Sequence, residues 1–216
     1  MVGTFARKDL NEELAVARTS TSSNKNLINF TLKLAPSQLR YLKSLEPALR
    51  ASSQQSVLRE ILEQFQSWFR LPVYQREALQ KDMGSRKAHI LQYIQELLAR
   101  HFEELPDATS AKRPPARSIP AEAEALEPFA IRIAPVLLAY ADELQPQLKM
   151  STTADVIREV VGQLQGWFQL PRYQADRLQQ EMAARRLHII EYVQEILARR
   201  YETLRDDSGD QRGRRR

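Results

Sequence analysis

The sequence predicts a mainly helical protein in which two copies of one unit together build a single two-stranded antiparallel ribbon. Three observations carry this. Residues 30–105 align with residues 129–204 without a gap, each partner lying 99 positions further on, and 34 of the 76 pairs are identical. Each copy opens on one short run of alternating apolar residues. Everything after that run has the apolar spacing of helices. A repeat of this length exceeds a solenoid unit and is large enough for a small domain. A site that needs two copies can therefore be built within one molecule.

Composition agrees with this reading. A chain of 216 residues has room for two small domains, and only 6 Gly among abundant Leu, Ala, Gln, Glu and Arg favours helix. The absence of cysteine excludes a disulfide framework and thiolate chemistry, and it suits a reducing compartment. No run approaches the roughly 20 apolar residues of a membrane-spanning helix, so a cytoplasmic protein without membrane contact is expected. The net charge of +5 and pI near 9.5 lean toward an anionic partner. Part of that excess sits in Arg212, Arg214, Arg215 and Arg216.

Five segments follow from these patterns. Residues 1–26 are polar and read as a flexible N-terminal segment. Residues 27–105 form the first unit, and 106–127 have the composition of a Pro/Ala-rich linker, including Lys112-Arg113-Pro114-Pro115. Fully stretched, such a linker spans about 70 Å, so the units can meet in almost any orientation. Residues 128–204 form the second unit, and 205–216 read as a disordered basic tail.

Each unit runs in the same order. Phe30-Thr31-Leu32-Lys33-Leu34 and Phe129-Ala130-Ile131-Arg132-Ile133 alternate with period 2, the pattern of a half-buried strand. Pro36 and Pro135 suit the first turn of a helix. Leu39, Leu42, Leu45 and Leu49, matched by Leu138, Ala141, Leu144 and Leu148, stripe that helix, which Pro47 and Pro146 should end or kink. Ser52-Ser53 and Ser151-Thr152 supply N-caps for a second helix. Its apolar face carries Val57, Leu58, Ile61, Leu62, Phe65, Trp68 and Phe69, repeated from Val156 to Phe168 and broken at Leu71-Pro72 and Leu170-Pro171. Two more helices are expected at 73–85 and 88–103, forming a helical hairpin in each copy.

A single strand per unit is the decisive oddity, because its backbone N–H and C=O groups are unpaired along both edges. Two units, within one chain or from two chains, can supply one strand each to an antiparallel ribbon resting on four helices. At this point the order of elements resembles the ribbon-helix-helix DNA-binding superfamily (Arc/MetJ/CopG type). The stretches carrying the resemblance are "FTLKLAPSQLRYLKSLEPALRASSQQSVLREIL" and "FAIRIAPVLLAYADELQPQLKMSTTADVIREVV", about 40 residues per copy. The resemblance implies a tandem pseudo-dimer whose ribbon enters the major groove of double-stranded DNA, acting as a transcriptional regulator associated with the nucleoid.

By that resemblance the outward strand residues Asn29, Thr31 and Lys33, with Pro128, Ala130 and Arg132, would face the bases. Ser52, Ser53, Ser151 and Thr152, at the start of the second helix, would hold a DNA phosphate. The two faces differ. Thr31 and Lys33 can hydrogen-bond to bases, whereas Ala130 offers a methyl and Pro128 lacks its N–H, so an asymmetric DNA site is expected.

The rest of the sequence argues against chemistry. His89 and His188 recur without Cys or a second ligand at helical spacing and read as packed or helix-capping residues rather than metal ligands. No Gly-rich phosphate loop, nucleotide fingerprint or nucleophile constellation occurs in both copies. An enzyme is not expected, nor is a cofactor. Arg59-Glu60 and Arg158-Glu159 read as solvent-exposed or intersubunit ion pairs, and Trp68-Phe69 and Trp167-Phe168 as packing anchors. The helical extensions could join two copies of the chain into a homo-oligomer. The competing reading is a structural or assembly module, or a chromosome- or plasmid-organising protein that binds DNA with weak sequence preference.

Overall fold

The computed structural model describes residues 27–105 and 124–213, with side chains described as far as Asp206. The segment at 1–26, most of the linker and residues 214–216 lie outside the described residues. The chain forms β1 (Ile28–Leu34), α1 (Pro36–Leu45), α2 (Gln54–Gln66), α3 (Val73–Ser85) and α4 (Ile90–Glu104). The second copy follows with β2 (Glu127–Ile133), α5 (Pro135–Leu148), α6 (Thr153–Gln165), α7 (Arg172–Ala184) and α8 (Ile189–Gly213). It is a mainly helical protein with a two-stranded antiparallel sheet. Helix α8 runs on through most of the segment whose composition reads as a tail.

The two strands pair so that Thr31 faces Ala130, its own repeat equivalent, and the register steps away evenly to Ile28–Ile133 and Leu34–Glu127. Their burial patterns are the same residue by residue. Leu32, Leu34, Ile131 and Ile133 are buried on the helices, each contributing about 2 kcal/mol by its removal from water. A register slip by one residue would turn the buried pair of one strand outward, so the pairing is strongly specified.

The helices beneath the ribbon are exchanged between copies. Helix α6 packs on β1 and α2 packs on β2. Arg158 Nε donates to the Lys33 carbonyl at 2.9 Å, and its equivalent Arg59 donates through Nη1 to the Arg132 carbonyl at 3.3 Å. Of the residues expected in ion pairs, Glu60 meets Arg70 and Arg158 meets Asp155, each within one copy, while the Arg59 and Arg158 side chains bridge the copies through these backbone contacts. Under the ribbon Val57, Leu58, Ile61, Leu62 and Phe65 meet Val156, Ile157, Val160, Val161 and Leu164 in one core.

Pro47 behaves as expected, since α1 ends at Leu45, but Pro146 lies inside α5. It falls in the last turn and is exposed, as is Asp142, so the Asp142 carbonyl that loses its N–H partner can be hydrated. The same repeat position is left-handed in both copies: Arg50, after the turns that follow α1, has φ 51°, and Lys149, directly after α5, has φ 55°. Helices α2 and α6 also stop earlier than Leu71-Pro72 and Leu170-Pro171 suggest. Trp68, Phe69 and Arg70 have φ of 47°, 58° and 56°, and Trp167, Phe168 and Gln169 have 50°, 53° and 57°. Three successive left-handed residues cost about 1–2 kcal/mol each. Full burial of Phe69 and Phe168 offsets that strain, and the Phe65 and Phe69 rings meet edge to face at 5.0 Å.

The helical extensions pack on each other within the chain. Helix α8 lies on α3 and α4, and α4 lies on α7. Tyr93, Leu98, Tyr192 and Leu197 are fully buried there. The apolar faces of the extensions are therefore spent largely on each other. Two reciprocal polar clusters join the copies. Asp82 receives a bidentate contact from Arg200 at 2.9 and 3.0 Å and the Tyr93 hydroxyl at 2.7 Å. At the equivalent place Glu181 accepts from the Tyr192 hydroxyl at 2.6 Å and meets His101 Nε2 at 3.0 Å. Arg199 approaches His101 Nδ1 at 2.9 Å and can only donate, so Nδ1 accepts and Nε2–H donates to Glu181.

Burial pushes the Asp82 pKa up, but hydrogen bonds from Arg200 and Tyr93, the Arg200 charge and a hydrogen bond from Arg86 outweigh it and hold the carboxyl at about 2. Because the folded pKa lies below the ordinary 3.8, this stabilisation is present above about pH 4 and fades as pH falls toward 2. The linkage is worth about 2 kcal/mol. Asp82→Asn is expected to lower stability near neutrality by about that amount and to flatten its acid dependence between about pH 4 and 2, read by urea denaturation at stepped pH. A second expectation concerns the exposed left-handed residue after α5. Lys149→Gly should raise stability by about 1 kcal/mol, because glycine removes the Cβ penalty at positive φ, and Arg50→Gly should add a similar gain independently.

Candidate nucleic-acid interface

The ribbon's outer face is built from three cross-strand pairs: Asn29–Arg132, Thr31–Ala130 and Lys33–Pro128. All six residues are exposed, as the period-2 alternation requires. Lys33 and Arg132 stand near opposite ends, four residues apart in register, or roughly 13 Å along the strands. No acidic residue shares that face, and neither cation makes an ion pair among the described residues. The nearest carboxylate in register is Glu127, opposite Leu34 at one end.

The backbone beneath each cation is fixed from the other copy. Arg158 holds the Lys33 carbonyl and Arg59 holds the Arg132 carbonyl. Gln55, in the first turn of α2, donates from Nε2 to the Ala130 carbonyl at 2.9 Å. That contact sets the start of α2 beside the middle of the ribbon. The face therefore offers an amide, a hydroxyl, an ammonium and a guanidinium on a backbone restrained from behind. Those groups match the donor and acceptor edges of base pairs.

The helix starts are where the sequence puts them, but they are not equivalent. Ser53 is the N-cap of α2, its hydroxyl accepting from the Ser56 N–H at 3.3 Å, with Ser52 exposed beside it. Thr152 is the N-cap of α6, accepting from the Asp155 N–H at 3.1 Å. Asp155 then turns its carboxylate back on the cap. The hydroxyls of Thr152 and Ser151 donate to Oδ2 at 2.7 and 3.3 Å, and Arg158 Nη1 reaches Oδ1 at 2.7 Å. The Thr152 hydrogen bond, followed by that of Arg158, holds the Asp155 carboxyl below its ordinary range. An anion thus already stands at the start of α6, where the first copy has the neutral Ser56. Ser53 Oγ also lies 3.1 Å from Ser56 Oγ, so the start of α2 is capped by neutral hydroxyls, whereas Ser151 and Thr152 are engaged by the Asp155 carboxylate.

Sequence reasoning missed Asp155 and Gln55, and it read Arg59 and Arg158 as ion-pair residues rather than as supports of the ribbon backbone. Asp155 was visible as an acidic residue three positions after a cap, a familiar N-terminal pattern. The other three act across copies and have no local signature. His89 and His188 cap helices, as expected. His89 Nδ1 accepts from the Gln92 N–H at 3.3 Å, and His188 Nδ1 from the Glu191 N–H at 3.4 Å. Burial pushes the pKa of both imidazoles down against the opposing pull of nearby glutamates.

Among the described residues no three His, Asp or Glu side chains gather into a group able to hold a metal ion, and no helix is long and apolar enough to cross a membrane. No protein-family model, curated protein or solved structure matches the chain.

Proposed function

We propose that this protein is a ribbon-helix-helix pseudo-dimer in one chain, and that it binds double-stranded DNA by laying its ribbon in the major groove, as a transcriptional regulator does. The observation that carries the reading is the outer face itself. Two cations, equivalent in the repeat, project from a two-stranded ribbon whose opposite side is anchored in the core. A two-stranded ribbon fits the width of the major groove, and an ammonium or guanidinium can meet guanine N7 and O6 there. Ser52 and Ser53 at the start of α2 would position a neighbouring phosphate through free backbone N–H groups. The positive net charge supplies the sequence-independent attraction.

Asn29, Thr31 and Lys33 can discriminate base edges in one half-site, while Ala130 and Arg132 in the other supply one methyl and one cation. Asp155 disfavours a phosphate at the start of α6. The DNA site should accordingly be asymmetric, with the stricter sequence requirement under β1. Three residues of the second copy, Pro128, Ala130 and Asp155, favour weak sequence preference in the second half-site. They are the specific support for a second reading, an organiser of chromosomal or plasmid DNA.

Selection of bound duplexes from a random pool, followed by fluorescence-anisotropy titration at several salt concentrations, tests both readings. Affinity is expected to fall steeply with salt. Lys33→Ala with Arg132→Ala should weaken binding to the selected duplex by about 10- to 100-fold for each cation that reads a base, and should reduce the salt slope. Equal binding by the double variant would remove the ribbon from the interface. An unenriched pool with salt-dependent binding would favour the organiser, and no binding to any duplex would exclude both.

A further inference from the structure

Away from the ribbon's outer face, a cleft of ≈ 300 Å³ opens where the start of α4 in the first copy meets the end of α5 and the middle of α6 in the second. Among the described residues Glu159 is the only acidic side chain lining it. Gln163 and Gln169 stand beside that carboxylate, and Gln92 and Gln95 line the α4 side. His89 also lines the cleft, and burial keeps its imidazole toward the neutral form despite the nearby Glu159 charge.

The repeat supplies a reference for what such a carboxylate binds. Glu60 is the equivalent of Glu159, and each accepts from a glutamine four residues on, Gln64 or Gln163, at 2.6 Å. Ten residues on, the copies part. In the first, the strained left-handed turn presents Arg70, whose Nη2 lies 2.6 Å from Glu60 Oε1. In the second, the same turn presents Gln169, whose neutral amide reaches Glu159 Oε1 only at 3.4 Å. The backbone at the two positions is the same, with φ of 56° and 57°. Glu159 thus has the surroundings of Glu60 without its guanidinium, and it makes no ion pair among the described residues.

We propose that this cleft binds a small guanidinium-bearing molecule, whose cation takes on Glu159 the place that Arg70 takes on Glu60. The chemistry of the walls fits. A planar guanidinium carries five N–H donors, so one can meet the carboxylate as Arg70 meets Glu60 while the others turn to neighbouring acceptors. Amide oxygens of Gln92, Gln95 and Gln169 can accept from its remaining N–H groups. Leu91, Leu148 and Met150 give the cleft an apolar side for an alkyl stem. Its volume lies at the small end of ligand pockets, which suits a compact cation rather than a nucleotide. The assignment is independent of whether the ribbon contacts DNA.

Isothermal titration of the full chain with agmatine and with methylguanidinium tests it, with urea as the neutral isostere and methylammonium as the non-planar cation. Saturable binding with one site per chain is expected, tighter for the guanidinium compounds than for methylammonium, with none for urea. Glu159→Gln should weaken agmatine by about tenfold or more, because it removes a charge-assisted hydrogen bond of the kind Arg70 makes to Glu60. Gln169→Arg rebuilds the internal pair of the first copy and should abolish binding while the thermal melt stays native or rises. That variant keeps the test decisive even where Glu159→Gln fails to fold. No saturable binding of either guanidinium compound at millimolar concentration would overturn the assignment. So would undiminished agmatine affinity in natively melting Gln169→Arg, or urea binding as well as methylguanidinium.

Discussion

The edges of an unpaired strand impose the constraint on which this architecture depends. Neither β1 nor β2 can satisfy its own backbone, and a bare two-stranded ribbon is marginal in water. The chain meets the constraint by pairing each strand with its repeat equivalent and resting the pair on helices exchanged between the copies. Leu32 and Leu34 are covered with help from α6, Ile131 and Ile133 with help from α2. The core beneath the ribbon therefore belongs to neither copy alone. The exposed face and the arginines that steady it from behind are both consequences of that sharing.

Much of the fold was legible in the sequence because it rests on local periodicity. Alternation from Phe30 to Leu34 and from Phe129 to Ile133 marked the strands, and Ser53 and Thr152 marked the helix starts. The turn at Trp68–Arg70 and Trp167–Gln169 was not legible. Left-handed backbone is usually announced by glycine or asparagine, and here buried phenylalanines impose it on bulky residues. Cross-copy bonds such as Arg158 to the Lys33 carbonyl were equally hidden, because their partners are 125 residues apart. The pairing of the extensions depends on Asp82 meeting Arg200, which no spacing rule connects. Of the candidate interface, the outward residues were readable from parity alone, while the unequal helix starts needed Asp155 to be placed at its cap.

Differences between the copies fall at telling positions. Core residues exchange one aliphatic side chain for another, as at Ile61 and Val160. Thr31 against Ala130, Ser56 against Asp155, Arg70 against Gln169 and His101 against Arg200 change chemistry instead. Three of these substitutions lie at the ribbon face, a helix start and the cleft. The duplicated backbone is held in place by the first kind of position, which leaves the second kind free to acquire separate tasks.

Joining both strands in a single polypeptide has a kinetic and cellular consequence. A ribbon assembled from two separate subunits unravels on dilution, since its association is second order. Here strand encounter is unimolecular, and a covalent tether of this length holds the partners at an effective concentration on the order of millimolar. The ribbon should remain intact at a handful of molecules per cell, and the tether disfavours exchange of halves with a related protein expressed beside it.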